Sequence, residues 1–380
     1  MSSLILESLG IRNYRGLRDL RIERLGRANL IVGKNNVGKT SVLEALRLYA
    51  QPGLASVLVD LLETRDEIDV TSAMRDSILG LKFQEGSLSF SVGSLFHGRK
   101  VPSEKSQYIK IGPLGNESRN LTISPGWLEE RQKNVLSGER DEPYDEGGRF
   151  HLFYEIGNLR LSVPITNARE FARFALNQAG EFEQDAVDTS NAPPVFFIGA
   201  NGLAPDIVGE LWDSIALTDQ EEQVVSALTI IASNLERLVL VSRGKSSPAR
   251  IPVVKLRGLS GSVPLRSLGD GMNRLFGIAL ALVNAKNGFL LIDEIENGIH
   301  YSVQPDVWRL IFQTAEKLNV QVFATTHSWD CIKAFQEAAA ENKEVKGVLI
   351  RLAEKGGEIR VGEFDEQELG VAVEGRIEVR

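Results

Sequence analysis

Apolar residues fall into short runs near both ends of the chain and into mixed periods between them. Over residues 1–33 the runs Leu4-Ile5-Leu6, Leu20 with Ile22, and Leu30-Ile31-Val32 are separated by charged or glycine-containing turns, which predicts strands. Val42, Leu43, Leu46 and Tyr49 then recur at helical spacing, so the last strand runs into a helix. From about Ser87 to Val163 short strand-like runs alternate with Gly, Ser and Pro breaks, and Ser137–Gly148 reads as a polar, acidic loop. Residues 166–240 read as helical, interrupted by the strand-like Val195-Phe196-Phe197-Ile198. Thr218-Asp219-Gln220-Glu221 has capping-box spacing. Behind it Val224, Val225, Leu228, Ile231, Leu235 and Leu238 form one apolar helical face, read as core or subunit interface.

From about residue 250 strands and helices alternate: Ile251–Leu256, a helix from about Asp270 to Ala285, Phe289–Asp293, a helix over 302–318, Val320–Thr325, and a helix from about Trp329. Strand-like Val348–Leu352, Glu358–Val361 and Ile377–Val379 follow. Such alternation predicts a parallel sheet covered by helices. No repeat with a period of roughly 20–50 residues is present. The region between Thr40 and Ser267 shows no sustained heptads, so it reads as a globular insertion and not a coiled coil.

The 380 residues have ordinary globular composition, which excludes a disordered or collagen-like chain. With 43 basic and 51 acidic residues the net charge is −8, so any contact with DNA must come from a local basic patch. The candidate runs are Arg12/Arg15/Arg18/Arg21 and Arg243/Lys245/Arg250, and such runs are more often solvated faces. The single cysteine, Cys331, suits a reducing compartment. No apolar run spans a membrane and the amino terminus lacks secretory-signal features, so a soluble, cytoplasmic protein is expected.

Gly33-Lys34-Asn35-Asn36-Val37-Gly38-Lys39-Thr40 matches GxxxxGK[ST] in full and lies between a strand and a helix. Loop N–H groups and the helix N-terminus can hold phosphates there, with Ser41 next in line. Lys39 supplies a point charge to them, and the Thr40 hydroxyl can ligate Mg2+. The alternative is a glycine turn with a surface lysine. Phe289-Leu290-Leu291-Ile292-Asp293-Glu294 is an apolar strand ending in two acids, the Walker B arrangement. Asp293 would hold Mg2+ and Glu294 would act as general base toward the attacking water. The alternative is a buried strand ending in a solvated acidic turn. Val322–Ser328 is another apolar strand running into polar residues, and His327 there can reach a γ-phosphate. His97 and His151 have no such surroundings, and His300 reads first as structural.

These motifs in this order resemble the ABC-class ATPases of the SMC, RecF and OLD (overcoming-lysogenization-defect) group. Arg12-Asn13-Tyr14-Arg15-Gly16-Leu17 is similar to that group's N-terminal stretch, Asn35–Leu46 to its extended P-loop, and Asp293–His300 and Thr325–Ser328 to its Walker B/D-loop and switch histidine. Ser267-Leu268-Gly269-Asp270-Gly271 looks like the signature loop of the class, which covers the nucleotide of a partner chain. Leu268 and Asp270 depart from the common form of that motif, so trans contacts are better assigned to Ser267 and Gly269 than to Asp270. The resemblance covers about 1–50 and 250–380. It implies an α/β fold, an ABC-type P-loop ATPase head with a mixed sheet interrupted by a mainly helical insertion. The parts would be 1–165, the N-terminal portion of the head with a β-rich lobe; 166–248, the insertion; and 249–380, the C-terminal portion with signature, Walker B and switch histidine. Lys39, Glu294 and His327 would be catalytic, with ATP and Mg2+ as cofactors and at least an ATP-linked homodimer as the working form. A Q-loop glutamine has only Gln84 as a candidate.

OLD nucleases continue into a Toprim domain, and too few residues follow His327 to build one. Away from Asp293 and Glu294, acids such as Glu129-Glu130, Asp141-Glu142, Asp145-Glu146 and Asp365-Glu366 lie in surface-like settings. No NKxD or CxxC motif is present. Three readings follow. The first is an OLD-like ATPase regulating a separately encoded effector, such as a Toprim-like nuclease, in phage defence. The second is a RecF-like ATPase that clamps DNA. The third is a nucleotide-binding scaffold without turnover, against which an intact Glu294 and His327 argue.

Overall fold

Short apolar runs with no polar face cannot sit half in water, and in this chain they become strands covered on both sides. The computed structural model describes residues 4–69, 89–90, 92–128, 149–165, 193–203, 205–242, 250–342 and 345–375. The chain divides into two compact units, one formed by Met1–Leu9, Leu20–Leu43 and Pro193–Arg380, the other by Gly10–Asp19 and Glu44–Ala192.

The main sheet of the first unit has the strand order Val195–Ile198, Phe289–Ile292, Gln321–Thr326, Ala28–Val32, Gly347–Lys355, Glu358–Phe364. Its strands are parallel except the last, which closes the edge antiparallel to Gly347–Lys355. Every position of Ala28–Val32, Phe289–Ile292 and Gln321–Thr326 is buried. The helices Asp270–Asn284, Gln304–Leu318 and Trp329–Glu341 contribute to the same core. Within it the Trp308 and Phe335 rings meet edge-on with centroids 4.8 Å apart. Full burial of one such side chain stabilises by about 1.5–3 kcal/mol. Asn319, in the left-handed conformation, ends Gln304–Leu318, and the Ser328 hydroxyl caps Trp329–Glu341 by accepting the Cys331 N–H at 3.3 Å.

Two expectations are corrected in this unit. Leu4-Ile5-Leu6 is not a strand; Leu6 exchanges hydrogen bonds with the buried Gln321 side chain, donating to Oε1 at 2.9 Å and accepting from Nε2 at 2.7 Å, and the first strand is Leu9–Tyr14. The helix starting at Asp219 stops at Leu228, and Leu235 and Leu238 lie on the strand Leu235–Ser242, paired antiparallel with Arg250–Leu256. Of the stretch 166–248, the described residues hold the helices Pro205–Asp213 and Asp219–Leu228 and the strands Val195–Ile198 and Leu235–Ser242. At the capping box, Thr218 accepts the Gln220 N–H at 3.3 Å while Glu221 reaches back to the Leu217 N–H at 2.6 Å.

In the second unit the strands Ile109–Gly112, Leu121–Leu128, Arg149–Ile156 and Leu159–Pro164 form an antiparallel meander, joined through Leu9–Tyr14. Leu9–Tyr14 turns at Arg15-Gly16 into Leu17–Ile22, the edge of that sheet. Arg15 is buried there. Its guanidinium lies 2.7 Å from Glu44 and 2.7 Å from Glu67, and donates to the Leu61 carbonyl at 3.2 Å. Arg15 is therefore no part of an open basic face. Arg12 pairs with Asp19, and Arg250 with Asp213. Arg243, Lys245, Gln84, Ile377–Val379, the loop Ser137–Gly148 and the acids from Glu129 to Glu146 lie outside the described residues.

Candidate nucleotide site

Parallel strands in register end at the same edge of a sheet, and loops leaving that edge converge. Here Val32, Thr326 and Ala324 with Ile292 are register partners across three neighbouring strands. Residues 33–40, 293–296 and 327–328 therefore leave the sheet side by side.

Gly33 follows the first of these strands with φ +150°, and a Cβ there would stand 2.4 Å from the Leu352 carbonyl oxygen, so only glycine fits. Lys34, Asn35 and Asn36 are exposed, Val37 is buried, and the loop turns through positive φ at Asn36 and Gly38. Lys39 opens the helix Lys39–Ala50, and its Nζ folds back to donate to the Gly33 carbonyl at 2.7 Å and the Lys34 carbonyl at 3.2 Å. Burial pushes the Lys39 ammonium pKa down, and the charges of Glu294, Asp293 and Glu296 work against that shift. Ser41 is buried one residue beyond Thr40.

The Thr40 hydroxyl lies 3.2 Å from each carboxylate oxygen of Asp293. Thr325 Oγ1 donates to Asp293 Oδ1 at 2.6 Å and accepts the Glu294 N–H at 2.8 Å. Glu294 itself has φ +48°, a left-handed conformation that costs a residue with a Cβ roughly 1–2 kcal/mol. Beyond it, His327 is half exposed; its Nδ1 lies 3.5 Å from Glu294 and 3.4 Å from Glu296, and its backbone N–H donates to Glu296 Oε1 at 3.1 Å. A hydroxyl and a carboxylate this close are hard oxygen donors, and they fit a small divalent cation that keeps most of its water, as magnesium does. Among the described residues no larger cluster of His, Cys, Asp and Glu could hold a metal.

The structure thus brings Lys39, Thr40, Asp293, Glu294 and His327 together. Ser267, Gly269 and Asp270 are exposed, with Ser267 in a 3-10 turn and Gly269 at φ +105° before the helix Asp270–Asn284. No hydrogen bond or ion pair between described residues joins these three to the other five. His300 is exposed, with Nδ1 2.9 Å from the Ser302 hydroxyl; His97 Nδ1 meets the Arg15 carbonyl at 3.0 Å; His151 is buried, its ring stacked on Phe153.

Sequence reasoning assigned no role to Thr325, Glu296 or Arg274. Arg274 is buried on the helix Asp270–Asn284, and its guanidinium donates to the carbonyls of Gly199 at 2.5 Å, Asp293 at 2.6 Å and Glu294 at 2.9 Å. Burial pushes its pKa down to about 10, with the carboxylates of Asp293, Glu296 and Glu294 opposing, and it stays charged at neutral pH. The one sequence signal was an arginine within an otherwise apolar helical face.

Comparison with known proteins points the same way. The family model described as "AAA ATPase domain" matches residues 5–120, and the one described as "AAA domain, putative AbiEii toxin, Type IV TA system" matches 242–330. An ATP/GTP phosphatase of Helicobacter pylori is 23% identical over 89% of this chain and 89% of its own. An uncharacterized protein of Methanocaldococcus jannaschii is 51% identical over 43% of this chain and 68% of its own. The DNA replication and repair protein RecF of Rickettsia massiliae is 35% identical over 37% of each chain. Among solved structures, the Smc head bound to the C-winged helix domain of ScpA aligns over 95% of this chain and 98% of that one, at 13% identity and a TM-score of 0.49. No helix of the described residues is long and apolar enough to cross a membrane. With a P-loop, an acid pair and a histidine delivered by adjacent parallel strands, and with the matches to AAA ATPase domain models and to RecF, the chain is a RecF-like ATPase of the ABC class.

Proposed function

We propose that this chain hydrolyses ATP with Mg2+ and works as an ATP-linked dimer. The observation that supports it most is the hydrogen-bonded set Thr40–Asp293–Thr325–Glu294 beside the Lys39 ammonium. On this reading the loop 33–38 and Lys39 bind the phosphates, Lys39 exchanging its two loop carbonyls for phosphate oxygens. Thr40 and Asp293 hold Mg2+, which supplies positive charge to the phosphates. Glu294 orients the attacking water and accepts its proton. His327, held through its N–H by Glu296, faces the same space from the next strand. Ser267 and Gly269, exposed on their own chain, cover the nucleotide of the partner.

The finer role rests on the resemblance to OLD ATPases: the chain would regulate a separately encoded effector, nuclease-like, in phage defence. A second reading, a DNA-clamping repair ATPase, is supported by the RecF match, while burial of Arg15 removes one of the cations it would have used. The test is hydrolysis and light scattering on the wild type and on Glu294→Gln. The variant should lose about 10²-fold or more in turnover and form a dimer with saturating ATP and Mg2+. Wild-type turnover in Glu294→Gln, or a monomer under those conditions, refutes the proposal.

A further inference from the structure

The carboxylate proposed as general base sits on a backbone that its own side chain disfavours, and something must hold it there. Two side chains do. Thr325 Oγ1 accepts the Glu294 N–H at 2.8 Å, and Arg274 Nη2 donates to the Glu294 carbonyl at 2.9 Å and to the Asp293 carbonyl at 2.6 Å. The peptide groups on both sides of the left-handed residue are thereby fixed. Thr325 comes from the neighbouring strand, but Arg274 comes from the helix Asp270–Asn284, whose first residues carry the exposed loop Ser267–Asp270.

That helix start is interlocked with the loop after Glu294. A Cβ on Gly271 would stand 2.6 Å from the Gly298 carbonyl oxygen, so the two backbones are in direct contact. Arg274 Nη1 adds a bond to the Gly199 carbonyl at 2.5 Å, tying in the turn after the edge strand Val195–Ile198. A rigid fork with several donors can hold three carbonyls at once in a way that a point ammonium cannot.

We infer that Arg274 is a positioning residue that keeps Glu294 in its hydrolytic geometry and makes that geometry depend on the helix Asp270–Asn284. The inference rests on the proposed ATP hydrolysis. Motion of the loop Ser267–Asp270, when it meets a partner's nucleotide, would then reach Glu294 of the same chain through Arg274 and the Gly271–Gly298 contact. Without the fork the Asp293 and Glu294 carbonyls lose their charged donor, and the left-handed residue keeps only the bonds to Thr325 and Asn297; a carboxylate displaced by about an ångström is enough to cost roughly 10²-fold in rate. Binding of nucleotide, which uses residues 33–40, is left in place.

The test compares full-length wild type, Arg274→Gln, Arg274→Lys, Glu294→Gln and the double variant Arg274→Gln/Glu294→Gln. Hydrolysis with MgCl2, affinity for a fluorescent ATP analogue and thermal melting are measured on each. Arg274→Gln should lose about 10²-fold in kcat with analogue affinity changed less than about 3-fold, and the double variant should lose less than about 3-fold beyond Glu294→Gln. Arg274→Lys should lose nearly as much as Arg274→Gln, and it decides the matter if the glutamine variant does not fold. Arg274 variants with wild-type kcat, or an equal further loss in the Glu294→Gln background, overturn the inference. A wild type that binds ATP without turning it over refutes the hydrolytic reading first, and the inference falls with it.

Discussion

Replacing Arg15 by methionine strips two buried carboxylates of the cation they share. The side chains of Arg15, Glu44 and Glu67 are 5%, 4% and 7% exposed, so none can exchange its partner for bulk water. Removing one member of a buried ion pair typically costs about 3–5 kcal/mol. The structure places the loss near the lower bound, because Glu44 keeps Arg65 at 2.8 Å and Glu67 keeps Arg99 at 3.2 Å. Those two cations are 37% and 70% exposed, so their pull is weakened by solvent. A loss of about 3 kcal/mol raises the opening equilibrium of the second unit by about 10²-fold. Hydrogen exchange of Ile109–Gly112 and Leu121–Leu128, read by mass spectrometry, should show that change. The triple replacement Arg15→Met, Glu44→Leu, Glu67→Leu, which removes all three buried charges and takes a carboxylate only from the solvent-exposed Arg65 and Arg99, should recover most of it. Burial pushes the Glu67 carboxyl pKa up, and hydrogen bonds from Arg15 and Ser94 with the charges of Arg15 and Arg99 together outweigh that, leaving it below the ordinary value. Its contribution is then complete above the unfolded pKa of about 4.3 and is lost as pH falls through the lower folded value. A loss under about 1 kcal/mol for Arg15→Met, or a triple variant less stable than the single one, would refute this reasoning.

Two further outcomes follow from the site and the core. Thr325→Val keeps shape but strands the Glu294 N–H and takes a donor from Asp293, and should cost about 1–3 kcal/mol in denaturant unfolding; a change within a few tenths would show that these bonds are dispensable. Burial pushes the Cys331 thiol up to about 12, so the native chain should resist alkylation by iodoacetamide at pH 8 and react at once when unfolded; rapid labelling of the native chain would contradict its burial.

The P-loop was legible because its chemistry is contiguous, and the parallel strands because Phe289–Ile292 and Val322–Ala324 are unbroken apolar runs. The strand Leu235–Ser242 was not, for a specific reason. Leu235 and Leu238 are spaced like a helical face, while the alternation that marks the strand, Leu238 and Leu240 buried against Val239 and Val241 exposed, covers only its second half. Leu4–Leu6 misled for another reason: a buried glutamine side chain, and not a strand neighbour, satisfies the Leu6 backbone. Arg274 and Thr325 acquire their role only from tertiary contact, and no local rule marks Glu294 as left-handed.

The sheet explains why residues so far apart in the chain meet. Strands Ala28–Val32, Gln321–Thr326 and Phe289–Ile292 are neighbours in that order, so the strand carrying the P-loop and the strand carrying the acids are separated by a single strand. That middle strand supplies Thr325, whose hydroxyl touches both Asp293 and the Glu294 N–H, and leads into His327. A one-residue slip of Gln321–Thr326 against its neighbours would turn Thr325 to the opposite face of the sheet. Asp293 would lose a donor and Glu294 one of the groups that hold its backbone. Register on the middle strand is therefore a condition for placing the acid pair against Thr40.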